Sequence, residues 1–212
     1  MKNSLKIAIV NYEVGNTRSV KNAFERFENC EVVLTDDKDL ITNADAIILP
    51  GVGAYPDAVK ALKSKNLIPT LEKVAFTQKK PFLAICLGMQ LLFESSEEGQ
   101  SEGGLGWIPG KVVRFNVPGL HVPHFGWNDI SINIHSPIFK SLSPSPNFYF
   151  AHSYHASCLP EYVLASCNYG ISFPAIVKKD NVFGMQFHPE KSHSSGMLLL
   201  SNFINYAKEQ NA

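Results

Sequence analysis

Three residues in this sequence stand in settings that suit successive steps of nucleophilic catalysis: Cys86, His188 and Glu190. Cys86 ends the apolar run Phe82-Leu83-Ala84-Ile85 and is followed by Leu87-Gly88-Met89-Gln90. Small residues at 84 and 88 flank it, the arrangement of a sharp strand-to-helix turn that lifts a nucleophile above the carboxyl edge of a sheet. There the unpaired N–H groups and positive end of the following helix favour a thiolate and can hold an oxyanion, with the Leu87 amide as the natural donor. A nucleophile also needs a base. His188 follows the run Val182 to Phe187 and precedes Pro189-Glu190, and in extended chain residues two apart point to the same side. Glu190 can then accept from one ring nitrogen and leave the other to take the Cys86 proton. A third piece is Pro50-Gly51-Val52-Gly53-Ala54-Tyr55, whose glycines let the backbone approach a ligand and aim amides at it. Singly, a small cysteine at a strand end, a loop histidine or a Gly-rich turn is commonplace. Together they point to thiol-based acyl transfer.

Placing these groups requires a particular order of elements. The first half alternates β-branched runs with helical spacing, the signal for βαβ units and a parallel sheet. Strands are expected at Lys6 to Val10, Glu31 to Leu34, Ala46 to Leu49 and Phe82 to Ile85. Helices are expected through Val20, Ala23, Phe24 and Phe27 after an Asn16 or Thr17 cap, and over Pro56 to Ser64, Pro69 to Gln78 and Leu87 to Phe93. Glu94 to Gly106, rich in Ser, Glu and Gly, reads as a loop. Beyond it come short strand-like runs: Lys111 to Phe115, Ile130 to Ile134, Phe148 to Ala151, Tyr162 to Tyr169, Phe173 to Lys178 and Val182 to Phe187. Asp180-Asn181 is a hairpin-turn candidate, so these strands should pair antiparallel. A last helix is expected over about Gly196 to Ala207.

Composition narrows the function classes. In 212 residues, 19 Lys and Arg balance 19 Asp and Glu, so neither a basic nucleic-acid surface nor an acidic disordered tail is present. With 45% hydrophobic residues the chain can bury a full core, and its length suits a single domain over 1–212. The run Ile7 to Val10 is too short for a signal-peptide core, and no stretch approaches the roughly 18 to 20 apolar residues of a spanning helix, so a soluble cytoplasmic protein is expected. No C-x-x-C pair occurs. Cys30, Cys158 and Cys167 read as buried packing residues. The histidine pairs 121/124, 152/155 and 188/193 could suggest a metal, but in the first two pairs residues three apart in a strand or loop do not share a face, no carboxylate-rich set closes a shell, and no metal is expected.

The ordered set Pro-Gly-Val-Gly-Ala at 50 to 54, Ile-Cys-Leu-Gly-Met-Gln at 85 to 90 and Gln-Phe-His-Pro-Glu-Lys-Ser at 186 to 192 resembles the triad-type (class I) glutamine amidotransferases. Gly15-Asn16-x-Arg18-Ser19-Val20, Pro123-His124-Phe125-Gly126-Trp127-Asn128 and Phe150-Ala151-His152-Ser153-Tyr154 resemble one branch, the glutaminase subunit of imidazole glycerol phosphate synthase. The resemblance runs from about residue 6 to about residue 206. It implies an α/β fold of flavodoxin-like kind: a largely parallel central sheet flanked by helices, with additional antiparallel strands in the C-terminal half. It further implies that Cys86 attacks the side-chain amide of glutamine, that His188 passes the proton to departing ammonia while Glu190 orients it, and that water hydrolyses the thioester. By the same resemblance Val52 and Leu87 form the oxyanion hole and Gly51, Gln90, Ser153 and Tyr154 hold glutamine. No cofactor is implied. Ammonia would pass to a (β/α)8-barrel synthase partner in a heterodimer, with Trp127 and Lys191 at the docking face. His152 and His155 are expected to be structural, lining the cleft near the glutamine.

Two departures stand out. The first loop reads Asn11-Tyr12-Glu13-Val14-Gly15-Asn16, where the family commonly has Asp first and Gly third, and Ala84 replaces the usual Gly of the elbow. The loop change touches a segment the family places toward the synthase. It therefore leaves open a synthase that aminates a surface-sugar precursor; a reading of another class, a catalytically silent scaffolding module, is opposed by the joint presence of nucleophile, base and orienting carboxylate.

Overall fold

A computed structural model describes residues 4–99 and 103–211. Nine strands form one sheet in the order β2-β1-β3-β4-β12-β11-β10-β7-β8. Its parallel half contains β1 (Leu5–Val10), β2 (Cys30–Thr35), β3 (Ala46–Gly51), β4 (Phe82–Cys86) and β12 (Val182–Met185). Its antiparallel half adds β7 (His124–Ile132), β8 (Asn147–His152), β10 (Val163–Tyr169) and β11 (Ile171–Lys179). A separate small sheet joins β5 (Phe93–Ser96), β6 (Ile108–Arg114) and β9 (Tyr154–Cys158). Among the described residues no helix is long and apolar enough to cross a membrane.

Burial explains the two textures. Every residue of β3 and β4 is buried, as expected of central parallel strands covered on both faces. Along β1, Ile7 and Ile9 enter one core with Phe24, Leu200 and Phe203, while Ala8 and Val10 enter another with Leu62 and Leu71, the alternation of a strand between two helical layers. In β8 buried and half-buried residues alternate strictly, so this edge strand has one covered face.

Helix α1 (Thr17–Phe24) buries Val20, Ala23 and Phe24; Asn16 stands at its cap position without a side-chain capping bond, and Phe27 lies past its end. An unanticipated helix, α2 (Lys38–Asn43), is capped by Asp37, whose carboxylate accepts from the amides of Asp39 and Leu40. Helix α3 spans Tyr55–Ser64. The expected helix at Pro69 to Gln78 is α4 (Ile68–Glu72) continued by a wider π turn over Lys73–Thr77.

Four expectations are corrected. Helix α5 covers only Leu87–Leu91, and Phe93, expected at its end, opens β5 instead. Part of the expected loop is thus strand, because Phe93 and Ser95–Ser96 pair with Ile108 and Lys111–Val112 across the small sheet; residues 100–102 of that stretch lie outside the described residues. The strand expected from Ile130 begins at His124, held by pairing to β8. The Asp180-Asn181 turn does join β11 to β12, with Asp180 at φ +53°. The last helix, α6, runs over His193–Gln210. Of the cysteines read as buried, Cys167 is buried, whereas Cys30 and Cys158 are only partly so, at the margins of the cores.

Candidate active site

Strands β3 and β4 end side by side, Gly51 opposite Cys86 in parallel register, and β12 flanks β4 on its other side. The chain leaving β12 carries His188 and Glu190 to the same carboxyl edge, where ligands of open α/β sheets bind. Cys86 adopts φ +54° and ψ −110° between β4 and α5, a strained conformation for a residue with a side chain. The turn needs Gly88, since a Cβ there would run into the Leu49 carbonyl oxygen. Gly51 is confined too: a Cβ would lie 2.5 Å from the Tyr12 hydroxyl. That hydroxyl donates to the Pro50 carbonyl at 2.6 Å, and burial, with the Cys86 charge adding to it, pushes Tyr12 well above the usual phenol range.

Cys86 and His188 line one cleft of about 420 Å³. Glu190 Oε1 accepts from His188 Nδ1 at 2.9 Å, and both side chains are almost fully buried. Burial pushes His188 toward neutrality, but the Cys86 thiolate charge, a hydrogen bond with Cys86 and the Glu190 carboxylate together outweigh it and raise the pKa. The arrangement favours the protonated ring at His188, with Nε2 left to serve the sulfur. The His188 backbone is fixed as well: its N–H donates to the Tyr149 carbonyl at 2.9 Å, and Ser192 Oγ donates to its carbonyl at 2.6 Å.

The other sequence-derived positions divide by location. Val52, Leu87, Gln90, Ser153, Tyr154 and Lys191 all line the cleft. Leu87 opens α5, so its N–H is one of those with no intrahelical acceptor. Gly51 and Glu190 sit behind the cleft around a smaller gap shared with Asn16 and Val52. Trp127 does not line the cleft. It stands on the neighbouring surface, 46% exposed, stacked on His193 at 4.8 Å and 7°, with Phe125 70% exposed beside it. Lys191 connects the two regions, its Nζ 5.8 Å from the Tyr149 ring centre, and Tyr149 packs edge-on to Trp127.

Gln186 and Glu98 had no role from the sequence. Gln186, inside the His188 motif, donates to Cys86 Sγ at 3.9 Å and accepts from Gln90 Nε2 at 3.1 Å. Glu98 lines the mouth of the cleft and accepts from the Tyr55 amide at 3.0 Å; it lay in a stretch read only as loop. A larger hollow of about 920 Å³ opens at the opposite edge of the sheet, around Lys6, Asp45 and Lys208. Among the described residues neither cysteine nor histidine lines it, so the thiol chemistry belongs to the smaller cleft.

Residues 8–206 match the family described as Glutamine amidotransferase class-I. The chain is 46% identical to imidazole glycerol phosphate synthase subunit HisH 2 of Vibrio vulnificus, covering 97% of both chains. It is 44% identical to subunit HisH of Bacillus cytotoxicus over 96% of both, and 43% identical to subunit HisH 1 of Campylobacter jejuni over 93% of this chain and 98% of that one. Among solved structures it resembles PurLQS from Thermotoga maritima, with a TM-score of 0.75 and 22% identity over 96% of this chain and 99% of that one. It also resembles the glutaminase domain of CTPS from Trypanosoma brucei, with a TM-score of 0.60 and 18% identity over 97% of this chain and 94% of that one. At such identities the structural likeness concerns the fold alone.

Proposed function

Because the chain belongs to the class I glutamine amidotransferase family, we propose that it acts, as a single domain, as the glutaminase subunit of imidazole glycerol phosphate synthase in histidine biosynthesis. One observation carries the chemical part: His188, held by Glu190 at 2.9 Å, shares a cleft with a cysteine held at φ +54° above the sheet edge.

In this reading the Cys86 thiolate attacks the side-chain amide carbon of glutamine. The C–S bond forms as the carbonyl electrons move to oxygen, and the N–H groups of Val52 and Leu87 stabilise that oxyanion. His188 then gives its proton to the departing nitrogen, ammonia leaves, and a thioester remains. Neutral His188 next takes a proton from water, whose oxygen attacks the thioester; glutamate departs and Cys86 is regenerated. Glu190 holds the ring and stabilises its cationic form. Gly51, Gln90, Ser153 and Tyr154 hold the substrate, and Glu98 supplies a carboxylate at the cleft mouth for its α-ammonium group.

The relatives are named as subunits, which supports a synthase partner. We assign that partner to a (β/α)8-barrel subunit that receives the ammonia and releases imidazole glycerol phosphate and AICAR, within a cytoplasmic heterodimer. The exposed ring surface of Phe125 and Trp127, with Lys191 at the cleft rim, supports docking on this side. Glutamate release is measured with and without that synthase and its nucleotide substrate. The expected result is a rise on adding the synthase and loss of at least about a thousandfold in Cys86→Ala. Hydrolysis surviving Cys86→Ala would refute the nucleophile, and stimulation only by a sugar-aminating synthase would reassign the acceptor. No hydrolysis with any partner would leave a scaffold.

A further inference from the structure

His152 lines the cleft and belongs to a buried set of side chains that the reaction leaves unused. His124 and His152 face one another across β7 and β8, in a pocket of rings built by Phe115, Phe150, Tyr169 and Phe173. His152 Nδ1 lies 2.7 Å from the Tyr154 carbonyl oxygen, and His152 Nε2 lies 3.2 Å from His124 Nδ1. His124 Nε2 in turn lies 3.4 Å from the Asn128 amide nitrogen.

A carbonyl only accepts, so His152 must carry its proton on Nδ1. If the ring is neutral, its Nε2 is bare and accepts from His124 Nδ1–H. His124 Nε2 is then bare too and accepts from Asn128 Nδ2–H. That amide is fixed by other bonds: Nδ2 donates to the Asn168 carbonyl at 3.0 Å, and Oδ1 accepts from the Asp129 N–H at 2.9 Å. Every donor in the line therefore points inward, toward Tyr154. Burial pushes His124 down to about 4 and His152 to about 3, so both rings stay neutral through the physiological range. At the inner end, the Tyr154 carbonyl also accepts from Gln90 Nε2 at 3.0 Å, and the same Gln90 nitrogen donates to Gln186 Oε1.

We propose that His124 and His152 are positioning residues for glutamine binding: a relay of two neutral rings in one tautomer that holds the Tyr154 carbonyl where it orients Gln90. The proposal rests on the glutaminase reading above. Its outer end, Asn128, follows Trp127 in sequence, so the line of hydrogen bonds ends next to the ring surface assigned to docking.

Glutamine protection of Cys86 against iodoacetamide, followed by mass spectrometry on the full chain, reads substrate binding without turnover. His152→Phe keeps a flat ring in an aromatic pocket and removes both bonds, whereas His152→Asn keeps a donor near the position of Nδ1. The protection midpoint is expected to rise about tenfold in His152→Phe and to return to within about threefold of wild type in His152→Asn. Alkylation without glutamine should stay within about twofold in both, a pattern general loosening would not produce. An unchanged midpoint in His152→Phe, or equal weakening in both variants, overturns the relay. His124→Phe combined with His152→Phe should be no weaker than His152→Phe alone, and additive losses would also overturn it. Nitrogen-15 shifts of the wild-type rings test the tautomer independently of any variant: a proton on Nδ1 of His152 is required, and one on Nε2 overturns the proposal. Wild-type Cys86 that glutamine does not protect would bring down the glutaminase reading and the relay with it. Protection in wild type with an unchanged midpoint in His152→Phe brings down the relay alone.

Discussion

His188 and the pair His124 and His152 are equally buried, at 3%, 2% and 6% exposure, yet their protonation is driven in opposite directions. Burial disfavours the imidazolium at all three. At His188 the Nδ1 partner is a carboxylate at 2.9 Å and the Cys86 sulfur is close by, and these two groups reverse the sign. At His152 the Nδ1 partner is an uncharged carbonyl at 2.7 Å and the Nε2 partner is another ring. A hydrogen bond of similar length thus gives a charged, reactive ring in one place and a neutral, load-transmitting ring in the other. The chemistry of the partner decides, and depth in the protein does not.

The largest test of this contrast removes charge from the reactive site while keeping its shape. In Glu190→Gln the side-chain carbonyl can still face His188 Nδ1, but the imidazolium loses its countercharge; if the amide group faces the ring instead, it forces the proton onto Nε2 and turns a donor toward Cys86. Turnover of glutamine by the complex with its synthase is expected to fall between about a hundredfold and ten thousandfold. A fall of less than about tenfold would mean that the carboxylate does not set the state of His188.

The second test reads stability against pH, where the two sites have opposite signs. An unfolded histidine titrates near pH 6.5. The folded neutral pair resists protonation until about 4 and about 3, so below pH 6.5 the unfolded chain binds more protons and stability falls with falling pH. His188 is raised, so its contribution is complete below pH 6.5 and is lost as pH rises through its folded value. Replacing His124 and His152 together by Phe should flatten the acid limb between about pH 6.5 and 4.5 by on the order of 2–4 kcal/mol. Urea unfolding at several pH values measures it. An acid limb of unchanged slope would show that the pair is not buried neutral.

The two sites also differ in how much of them could be read from residues alone. Cys86 follows an unbroken apolar run and His188 follows one interrupted only by Gln186, because β4 and β12 are covered on both faces, and the orienting carboxylate is two residues from its histidine. Such a site is written locally. The histidine relay is not. His124 and His152 are partners only through the register of β7 against β8, and β7 starts six residues before Ile130 because pairing, more than apolar pattern, holds its first part. The visible pairs 121/124 and 152/155 pointed elsewhere. Strand β9 and helix α2 were missed for a related reason: β9 is specified by its ladder to β6, and α2 by a single capping aspartate. Glu98 and Gln186 acquire their places in the cleft from tertiary contacts at Tyr55 and Gln90.

The contrast is sharpened most directly by turning one kind of site into the other. Asn128→Asp replaces the amide that donates to His124 Nε2 by a carboxylate oxygen, at a half-buried position. With His124 neutral, that oxygen would face a bare ring nitrogen and the Asn168 carbonyl, and both contacts repel. A proton on Nε2 relieves the first and creates a charge-assisted bond, while Nδ1–H still points at His152, so the polarity of the line toward Tyr154 survives. The neighbouring Asp129, exposed and next in sequence, adds to the negative field only weakly through solvent. Half-burial leaves part of the gain to screening, so His124 should rise from about 4 by about one pH unit, short of His188. Proton NMR titration of the ring Cε1–H resonances measures the change. If His124 stays at about 4 beside the new carboxylate, burial outweighs the partner there, and the rule drawn from His188 does not extend to this pocket.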